Sequence, residues 1–476
     1  MKNIKIKDII EVTGGSLIGN IDEASKAELL NTPVNDMVID SREAEEGLLF
    51  VAIKGENVDA HRFIPDVAAK TKSILTEETE QEILAAAGKS ELPENVAYIK
   101  VDSTLDAMQD IAAYIRKPYA HPVVGVTGSV GKTTTREMIT TALASNLNVF
   151  HTKGNMNSQI GVPLTVSKIM DTDSEAAVLE MGISEPGGMD RLTRMVKPDI
   201  AVVTMIGQAH IEFLKTKEGI RDEKLRITGR MDENGVLFLN ADDDMLYAMK
   251  GKTAVKTFFF GTREDADFRA ENIRFENGFN TYTYVHGDTR LDVSLSVLGM
   301  HNVLNSLVAM AICDHLNLDL EKAAKSFETF EGLRQKIIVS DKGYTVIDDS
   351  YNASPDSMKA AVNVLRDMSV KGRKIAVLGD MFELGENSRE YHKVVGEYIA
   401  ELSNSGALSL DELITIGDES AEISDFVKEN TNIHTSAFAE KPEAIEYIKS
   451  ILSPDDVITL KASNGMKFAQ IVEAIK

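Results

Sequence analysis

The sequence predicts a mixed α/β protein of three domains, two of them built on doubly wound sheets. Its 476 residues are about three times the length of an ordinary domain. Short apolar runs alternate with segments of helical spacing, as parallel sheets that are covered on both faces require. A glycine-rich loop also joins an apolar strand to a helix near residue 128. Together these features favour α/β units over an all-helical or an all-β protein.

The first predicted elements come from apolar runs between polar turns. Around residues 1–100, runs such as Gly47–Ile53 indicate a small α/β unit that ends near Tyr98–Val101. After the glycine-rich loop, two buried-type strands follow at Ala176–Met181 and Ile200–Ile206. Continuous apolar runs between helices are typical of a parallel sheet, which we therefore predict for the central stretch.

The pattern changes after residue 280. Thr281–His286 and Leu291–Val297 alternate polar and apolar residues, and Gly287-Asp288 lies between them, which predicts an antiparallel hairpin. His301–His315 then has helical spacing with a strongly apolar face.

From about residue 335 the alternation of strands and helices restarts, which predicts a second open, Rossmann-like sheet. Its predicted strands are Tyr344–Ile347, Lys374–Leu378, Glu412–Ile416 and Val457–Leu460. We accordingly place the domains at residues 1–102, 103–332 and 333–476.

Composition excludes several classes of protein. With 43% hydrophobic and 26% charged residues, the chain is neither disordered nor fibrous. The net charge of −24, without a basic run, argues against nucleic acid as a partner. Cys313 is the single cysteine, which excludes an intrachain disulfide and a cysteine-based zinc site. No apolar stretch approaches the roughly 18 residues of a membrane span, so we expect a cytoplasmic protein.

The strongest functional signal is the segment GVTGSVGKTT at residues 125–134, between a strand and a helix. Glycines let backbone N–H groups turn toward phosphate oxygens, and the following helix adds its positive dipole end. In such a loop Lys132 reaches the terminal phosphates and Thr133 offers its hydroxyl to Mg²⁺. Val126 stands where the strict pattern has glycine, but the context favours an ATPase-type phosphate loop. The predicted ATP-binding residues are Gly128, Ser129, Val130, Gly131, Lys132, Thr133 and Thr134.

Polar residues also follow the next two predicted strands. Glu180 and His210 stand at strand ends, where ligands collect in open α/β sheets, so a metal site with Lys132 nearby is one interpretation. Alternatively, Glu180 is a surface acid and His210 a helix cap or loop histidine. Histidine is also an unusual ligand for Mg²⁺, which prefers oxygen.

Other polar segments allow two interpretations. Asn155 and Asn157 are either turn-formers or ligand contacts, and the charged segment around Lys224 predicts a solvated helix face. Polar loops in the last third of the chain either line a cleft that closes on the nucleotide domain or are ordinary turns. Their residues are Asp348, Asp349, Tyr351, Asn352, Asp380, Glu383, Lys461 and Asn464.

Seven motifs, in this order, resemble the Mur ligases. They are GVTGSVGKTT (125–134), NMNSQIGVPLT (155–165), LEMGI (179–183), MIGQAH (205–210), GMHNVLN (299–305), IDDSYNASPDSM (347–358) and LGDMFELG (378–385). The last two, with His392 after them, are most similar to the members that add D-alanyl-D-alanine. Asp40-Ser41-Arg42 resembles part of the family's uridine-nucleotide-binding first domain. The resemblance extends from about Asp40 to Ala469.

The resemblance implies an ATP-dependent amide ligase. Such an enzyme joins D-alanyl-D-alanine to UDP-N-acetylmuramoyl-tripeptide through an acyl phosphate, with ATP and two Mg²⁺ ions, and makes the pentapeptide precursor of peptidoglycan. It therefore serves cell-wall growth, cell shape and division. The alternatives are a sister Mur ligase, an amide ligase resembling folylpolyglutamate synthetase, or a nucleotide-binding module without catalysis.

The family also implies roles for individual residues. Lys132, Glu180, His210 and Lys224 are catalytic, and Thr133, Glu180, His210 and a carbamylated Lys224 bind metal. Asn302, Asn305, Arg334 and Asp349 approach ATP, Ser41 and Arg42 approach the uridine diphosphate, and Asn155 and Asn157 contact the substrate.

The chain departs from the family pattern at four places. Ser129-Val130 and Asn157-Ser158 replace the usual pairs, Ala60 replaces a glycine, and Asn464 stands where an arginine is usual.

Overall fold

The protein is built from three sheets that follow one another along the chain. The computed structural model describes residues 1–19, 21–55, 58–93, 95–276, 279–332 and 336–476. Within these ranges the sheets contain five, nine and six strands.

The first sheet has the strand order β1-β5-β4-β3-β2, with β1 antiparallel and the others parallel. Its last strand ends at Lys100, close to the predicted end of the small α/β unit. Its elements are α1 Ile6–Thr13, β1 Ser16–Ile18, α2 Glu23–Leu30, β2 Asp36–Val38, β3 Leu48–Val51, α3 Ile64–Val67, β4 Ser73–Thr76, α4 Glu80–Ala87 and β5 Ala97–Lys100.

The central sheet has the order β7-β8-β6-β9-β10-β11-β12-β13-β14, and its strands are parallel from β7 to β12. The predicted hairpin is confirmed as β13 and β14, which extend the sheet in antiparallel fashion. The elements are α5 Thr104–Arg116, β6 Val123–Thr127, α6 Lys132–Ala144, β7 Val149–His151, α7 Gly161–Val166, β8 Ala176–Glu180, α8 Gly188–Val196, β9 Ile200–Val203, α9 Ile211–Leu214, α10 Lys217–Leu225, β10 Val236–Asn240, α11 Asp244–Tyr247, β11 Lys256–Gly261, β12 Phe268–Glu276, β13 Phe279–His286, β14 Thr289–Leu295, α12 Met300–His315 and α13 Leu320–Ser326.

The third sheet has the order β15-β16-β20-β17-β18-β19, with only the β15–β16 pair antiparallel among its described strands. This is the predicted open α/β sheet, although β15 and β19 were not predicted. The elements are β15 Lys336–Val339, β16 Thr345–Asp348, α14 Pro355–Asp367, β17 Lys374–Gly379, α15 Ser388–Asn404, β18 Glu412–Ile416, α16 Ala421–Asn430, β19 His434–Phe438, α17 Lys441–Ile451, β20 Val457–Lys461 and α18 Ala469–Ile475.

The first two units share one apolar core, whereas the third has its own. Residues of the first sheet such as Leu49 and residues of the central sheet such as Leu179 belong to one buried cluster, which α5 joins through Ile111. In the two clusters of the third unit, the fully buried members begin at Tyr344. The first two units are therefore one packed body, against which the third is docked. Within the described ranges, no helix is both long and apolar enough to cross a bilayer.

Candidate functional site

A cleft of about 610 Å³ lies between the central and the third unit. The strands β8, β6 and β9 are neighbours in the central sheet, so the loops at their carboxyl ends meet at one edge. Loops after β16, β17 and β20 form the opposite wall. Of the residues singled out in the sequence, those lining the cleft are Ser129, Val130, Gly131, Lys132, Thr133, Thr134, Asn155, Asn157, Glu180, His210, Asn302, Asn305, Asp349, Tyr351, Asn352, Glu383, Lys461 and Asn464.

The phosphate loop is fixed by close packing against the end of β9. A Cβ atom at Gly128 would lie 1.9 Å from Oγ1 of Thr204, so no larger residue fits there. Gly131 has φ +86°, which a residue without a Cβ adopts at little cost, and it begins α6. The hydroxyl of Thr204 donates to the carbonyl of Val130. The shape of the loop is thus set by contacts within the protein itself.

Lys132 curls back over this loop from the first turn of α6. Its Nζ donates to the carbonyl oxygens of Gly128 at 2.9 Å and Ser129 at 3.4 Å. The ammonium group therefore lies above the backbone that would cradle phosphates, at the positive end of the helix dipole.

Glu180 is completely buried at the end of β8, so the alternative that it is a surface acid is wrong. Its Oε1 accepts hydrogen bonds from Oγ1 of Thr133 at 3.1 Å and from Nδ2 of Asn157 at 2.6 Å. Its Oε2 has no hydrogen-bond partner among the described residues and lies 3.5 Å from Nη1 of Arg136. A buried carboxylate at a cleft, with one oxygen that accepts no hydrogen bond, is a suitable ligand for a cation.

His210 precedes the short helix α9 and has φ +64°. Its Nδ1 lies 2.9 Å from Oε2 of Glu383, which comes from the third unit. The imidazole lowers the pKa of Glu383 below its usual range. Within the described ranges, no three His, Cys, Asp or Glu side chains group around a common point, so His210 does not join Glu180 in such a cluster.

Asn302 and Asn305 lie in the first turns of α12 and connect this helix to α6. Oγ1 of Thr135 donates to Oδ1 of Asn305 at 2.8 Å, and Nδ2 of Asn305 donates to Oδ1 of Asn302 at 3.3 Å. Both amides are buried at the cleft wall. Polar groups at such positions orient a bound ligand and give the pocket its specificity.

Asp349 and Lys461 form a buried ion pair on the opposite wall. Nζ of Lys461 lies 2.7 Å from Oδ2 of Asp349, and it also donates to the carbonyl of Asn352. The loops after β16 and β20 are therefore joined by a buried ion pair at the cleft and are not only turns. His301 lines the same cleft, and burial lowers its pKa to about 4, so its imidazole is neutral at pH 7.

Comparison with known proteins identifies the family. The model of the Mur ligase middle domain matches residues 126–313, and that of the Mur ligase glutamate ligase domain matches residues 333–464. The UDP-N-acetylmuramoyl-tripeptide–D-alanyl-D-alanine ligase of Bacillus subtilis is 35% identical, over 96% of this chain and 97% of the relative. The chain belongs to the Mur ligase family. The resemblance seen in the sequence motifs is thereby confirmed.

Solved structures of Mur ligases share the whole architecture. A crystal structure of MurF from Acinetobacter baumannii matches with a TM-score of 0.86 and 27% identity, covering 98% of both chains. The MurF ligase of Thermotoga maritima in complex with ADP matches with a TM-score of 0.79 and 28% identity, covering 93% of this chain and 97% of that one. The predicted fold class is confirmed.

Lys224 corrects the expectation from its charged segment. It lies in α10 but is only 1% exposed, so the predicted solvated face is wrong. Burial, reinforced by the nearby charge of Lys132, lowers its pKa well below the ordinary value. In this Mur ligase the charged helix thus places one lysine inside the protein. The sequence did not predict this, because amphipathic spacing does not show which charged residue faces a neighbouring element.

Two further residues, Ser41 and Arg42, are not brought into the cleft. Arg42 is 86% exposed and donates to Oδ1 of Asp40 at 2.9 Å, which with other contacts lowers the pKa of Asp40 to about 2. The carbonyl of Ser41 accepts from Nζ of Lys70. Both lie after β2 in the first unit, away from the cleft lining. Arg334 lies outside the described residues.

Sequence reasoning overlooked Arg136, Thr204 and Asp356. Arg136 is fully buried in α6, donates to the carbonyl of Gly154 at 2.9 Å and lies beside Glu180. The charged pair Arg136-Glu137 within the otherwise uncharged helix segment TTTREMITTAL was the available signal. Thr204 and Asp356 carried no signal beyond their positions at a strand end and a helix start.

Proposed function

We propose that this Mur ligase joins D-alanyl-D-alanine to UDP-N-acetylmuramoyl-tripeptide and converts ATP to ADP and phosphate. The observation that carries the proposal is the full-length similarity to relatives of that name, combined with a phosphate-loop cleft between two domains. The ADP bound by the Thermotoga maritima enzyme supports the nucleotide. The product would be the UDP-muramoyl-pentapeptide precursor of peptidoglycan.

In the first step, the terminal carboxylate of the tripeptide attacks the γ-phosphorus of ATP. An acyl phosphate forms and ADP leaves. Lys132 and the backbone N–H groups of the loop stabilise the charge on the transferring phosphoryl group, because this reaction depends mainly on positioning and electrostatics. The preformed loop and the position of Lys132 over it support this role.

The residues present fit a bound Mg²⁺ in one place. Oε2 of Glu180 is buried without a hydrogen-bond partner in the described part of the chain, and Thr133 lies beside it. Glu180 and Thr133 would hold Mg²⁺, with His210 and Lys224 as further candidates, and two ions are proposed. When bound, Mg²⁺ supplies positive charge next to the phosphate oxygens.

Lys224 is proposed to act as a carbamate. Only a neutral amine reacts with CO₂, forming an N–C bond with loss of one proton, and the lowered pKa increases the neutral fraction of this lysine. The product carries a negative charge, which would be attracted to Lys132. Burial and the adjacent cation thus favour the modification at this lysine over exposed ones.

The remaining candidate contacts divide between the substrates. Asn302, Asn305 and Asp349, together with Arg334, would contact ATP across the closed cleft. Ser41 and Arg42 would contact the uridine diphosphate, since an exposed arginine beside a loop suits a phosphate. We place Asn155 and Asn157 toward the peptide substrate, although the side chain of Asn157 bonds Glu180 here.

In the second step, the amine of D-alanyl-D-alanine attacks the carbonyl of the acyl phosphate, and phosphate leaves. The amine must be neutral, and a free α-amino group has a pKa of about 8. Closure of the two units over the cleft would exclude water, which otherwise hydrolyses the acyl phosphate.

The proposal also includes the cellular location, the partners and the domain boundaries of the protein. ATP as a substrate and the single, buried Cys313 support a cytoplasmic location. From the net charge of −24 we continue to predict that nucleic acid is not a partner. We retain 1–102, 103–332 and 333–476 as the proposed domains for the UDP-muramoyl substrate, for ATP and for the C-terminal unit.

The test is ADP release with Mg²⁺ and ATP, measured with UDP-muramoyl-tripeptide and D-alanyl-D-alanine added separately and together. Release that requires both supports the proposal. Turnover only with another amine and carboxylate pair would indicate a sister ligase or a folylpolyglutamate synthetase-like enzyme. ATP binding without any turnover would indicate a non-catalytic module. Chelating Mg²⁺ with EDTA should stop release, and unchanged release would remove the metal from the proposal.

A further inference from the structure

The loop that carries His210 lies between two segments of the third unit. Residues 207–212 form the end of the connection from β9 to α9 and the start of α9, in the central unit. On one side His210 is 2.9 Å from Glu383, and a Cβ atom at Gly385 would lie 3.5 Å from Cβ of Glu212. On the other side Gly207 meets Asp356 in the first turn of α14.

The contact between Gly207 and Asp356 leaves no room for a side chain. A Cβ atom at Gly207 would lie 2.2 Å from Oδ2 of Asp356, and 3.5 Å from Cβ of Ser129 in the phosphate loop. Gly207 therefore separates the phosphate loop from the third unit by the thickness of one backbone. Its φ lies outside the left-handed region, so the need for glycine comes from close approach alone.

The charges across this contact are complementary. Burial raises the pKa of the Asp356 carboxyl, whereas Lys217 of the central unit, Lys359 and the backbone N–H of Gln208 act to lower it. Oδ2 of Asp356 has no hydrogen-bond partner in the parts of the chain described. A carboxylate is desolvated at this position only when the two units are docked, and attraction from Lys217 offsets part of that cost.

The buried clusters of the third unit contain no residue before Tyr344, and the central unit reaches one of them only through the partly buried Leu298. Contacts such as that between Gly207 and Asp356 therefore contribute to the placement of the third unit. We propose that Asp356 is a positioning residue for the ligase reaction, because its carboxylate packs on Gly207 and fixes the 207–212 loop against the phosphate loop when the third unit docks. This inference rests on the proposed function for the reaction that it serves. The 207–212 loop, which carries His210, therefore has all of its contacts only when the third unit is docked.

The test is a double-mutant cycle between the two units in the full-length protein. Gly207→Ala adds a methyl group where Oδ2 lies, so the carboxylate must move or the units must separate. We expect kcat/KM for the tripeptide substrate to fall about tenfold, while the Kd for ATP changes less than about twofold. In an Asp356→Ala background, which leaves space for the methyl group, Gly207→Ala should cost less than about twofold. Asp367→Ala, at the other end of α14, is the matched control and should leave the tenfold effect intact.

Equal losses in the wild-type and Asp356→Ala backgrounds would overturn the proposal, and so would a loss of ATP affinity as large as the loss of kcat/KM. If Gly207→Ala does not fold, Asp356→Ala alone decides: lower kcat/KM with unchanged ATP affinity supports the role, and wild-type kinetics contradict it. Small-angle scattering with ATP bound gives a readout independent of turnover, in which Gly207→Ala should be more extended than wild type. If the wild-type protein does not release ADP, the proposed function fails, and scattering still decides whether Asp356 docks the units.

Discussion

Two carboxylates face the cleft from opposite domains, and they are held in very different ways. Glu180 is fully buried in the central unit and accepts hydrogen bonds from Thr133 and Asn157. Glu383, from the third unit, has a side chain that is 59% exposed and meets the central unit at His210. One wall of the site is therefore built within a packed domain, whereas the other is presented by docking.

The difference shows where each kind of chemistry belongs. Phosphoryl transfer needs groups fixed to within a fraction of an ångström, and the central wall, with its shared core and buried bonds, provides this. A wall that docks can admit two large substrates and then exclude water. Five predictions test this contrast, in order of decreasing effect.

Lys132→Ala should reduce kcat by about 10³-fold or more, because the phosphoryl group loses its main positive side chain. ADP release measures the effect. Lys153→Ala, an exposed lysine in the neighbouring loop, is the control and should stay near wild type. Near-normal turnover by Lys132→Ala would remove the phosphate loop from the mechanism.

Glu180→Gln should reduce kcat by about 100-fold and raise the Mg²⁺ concentration needed for half-maximal rate, because a carboxylate at the ion is lost. It should also lower the free energy of unfolding by about 2 kcal/mol, because the buried Arg136 loses a neighbouring charge. Kinetics across a Mg²⁺ series and urea unfolding measure the two effects. An unchanged Mg²⁺ requirement would contradict the assignment of Glu180 to the ion.

Lys224→Met should lower kcat at least about tenfold if the carbamate takes part. In CO₂-free buffer it should nevertheless raise the melting temperature at pH 7. The pKa of Lys224 is lowered in the folded protein, so the unfolded chain binds the extra proton, and wild-type stability rises with pH toward the ordinary lysine pKa of 10.5. The gain of the variant should therefore shrink as pH increases. A gain that does not change between pH 7 and pH 9.5 would contradict the lowered pKa.

Glu383→Gln should change kcat/KM by no more than about fivefold, because an exposed ion pair contributes at most about 1 kcal/mol. Increasing salt should reduce the difference between variant and wild type. A loss as large as that of Glu180→Gln would mean that both walls are equally fixed, and the contrast would fail.

Arg42→Ala should leave the melting temperature unchanged, since its ion pair with Asp40 is exposed. It should raise KM for the UDP-muramoyl substrate by about threefold and leave KM for ATP alone. Lys26→Ala, another cation of the first unit, is the matched control. An unchanged KM for the UDP substrate would remove Arg42 from that site.

Local patterns predicted the fold better than the site. The strands β8, β9, β18 and β20 were visible as continuous apolar runs, and Gly287-Asp288 marked the hairpin. The edge strand β19 was missed, because HTSAF is half exposed and has no such run. For the site, the glycine-rich loop was visible from its residues and from its place between a strand and a helix. The contacts of Arg136 with Glu180 and of Asp356 with Gly207 were not visible, because these partners lie far apart in the chain.

The sequence by itself determined the order of α/β units, the phosphate loop and the family, because these depend on residues close together along the chain. Only the tertiary structure decided that Lys224 is buried, that Oε2 of Glu180 accepts no hydrogen bond from the described residues, and that His210 meets Glu383. Each of these depends on which elements pack together, and that choice is set by the burial of whole faces rather than by any local spacing. The sequence shows that residue 224 is a lysine, but whether its side chain is exposed to solvent or buried depends on the fold.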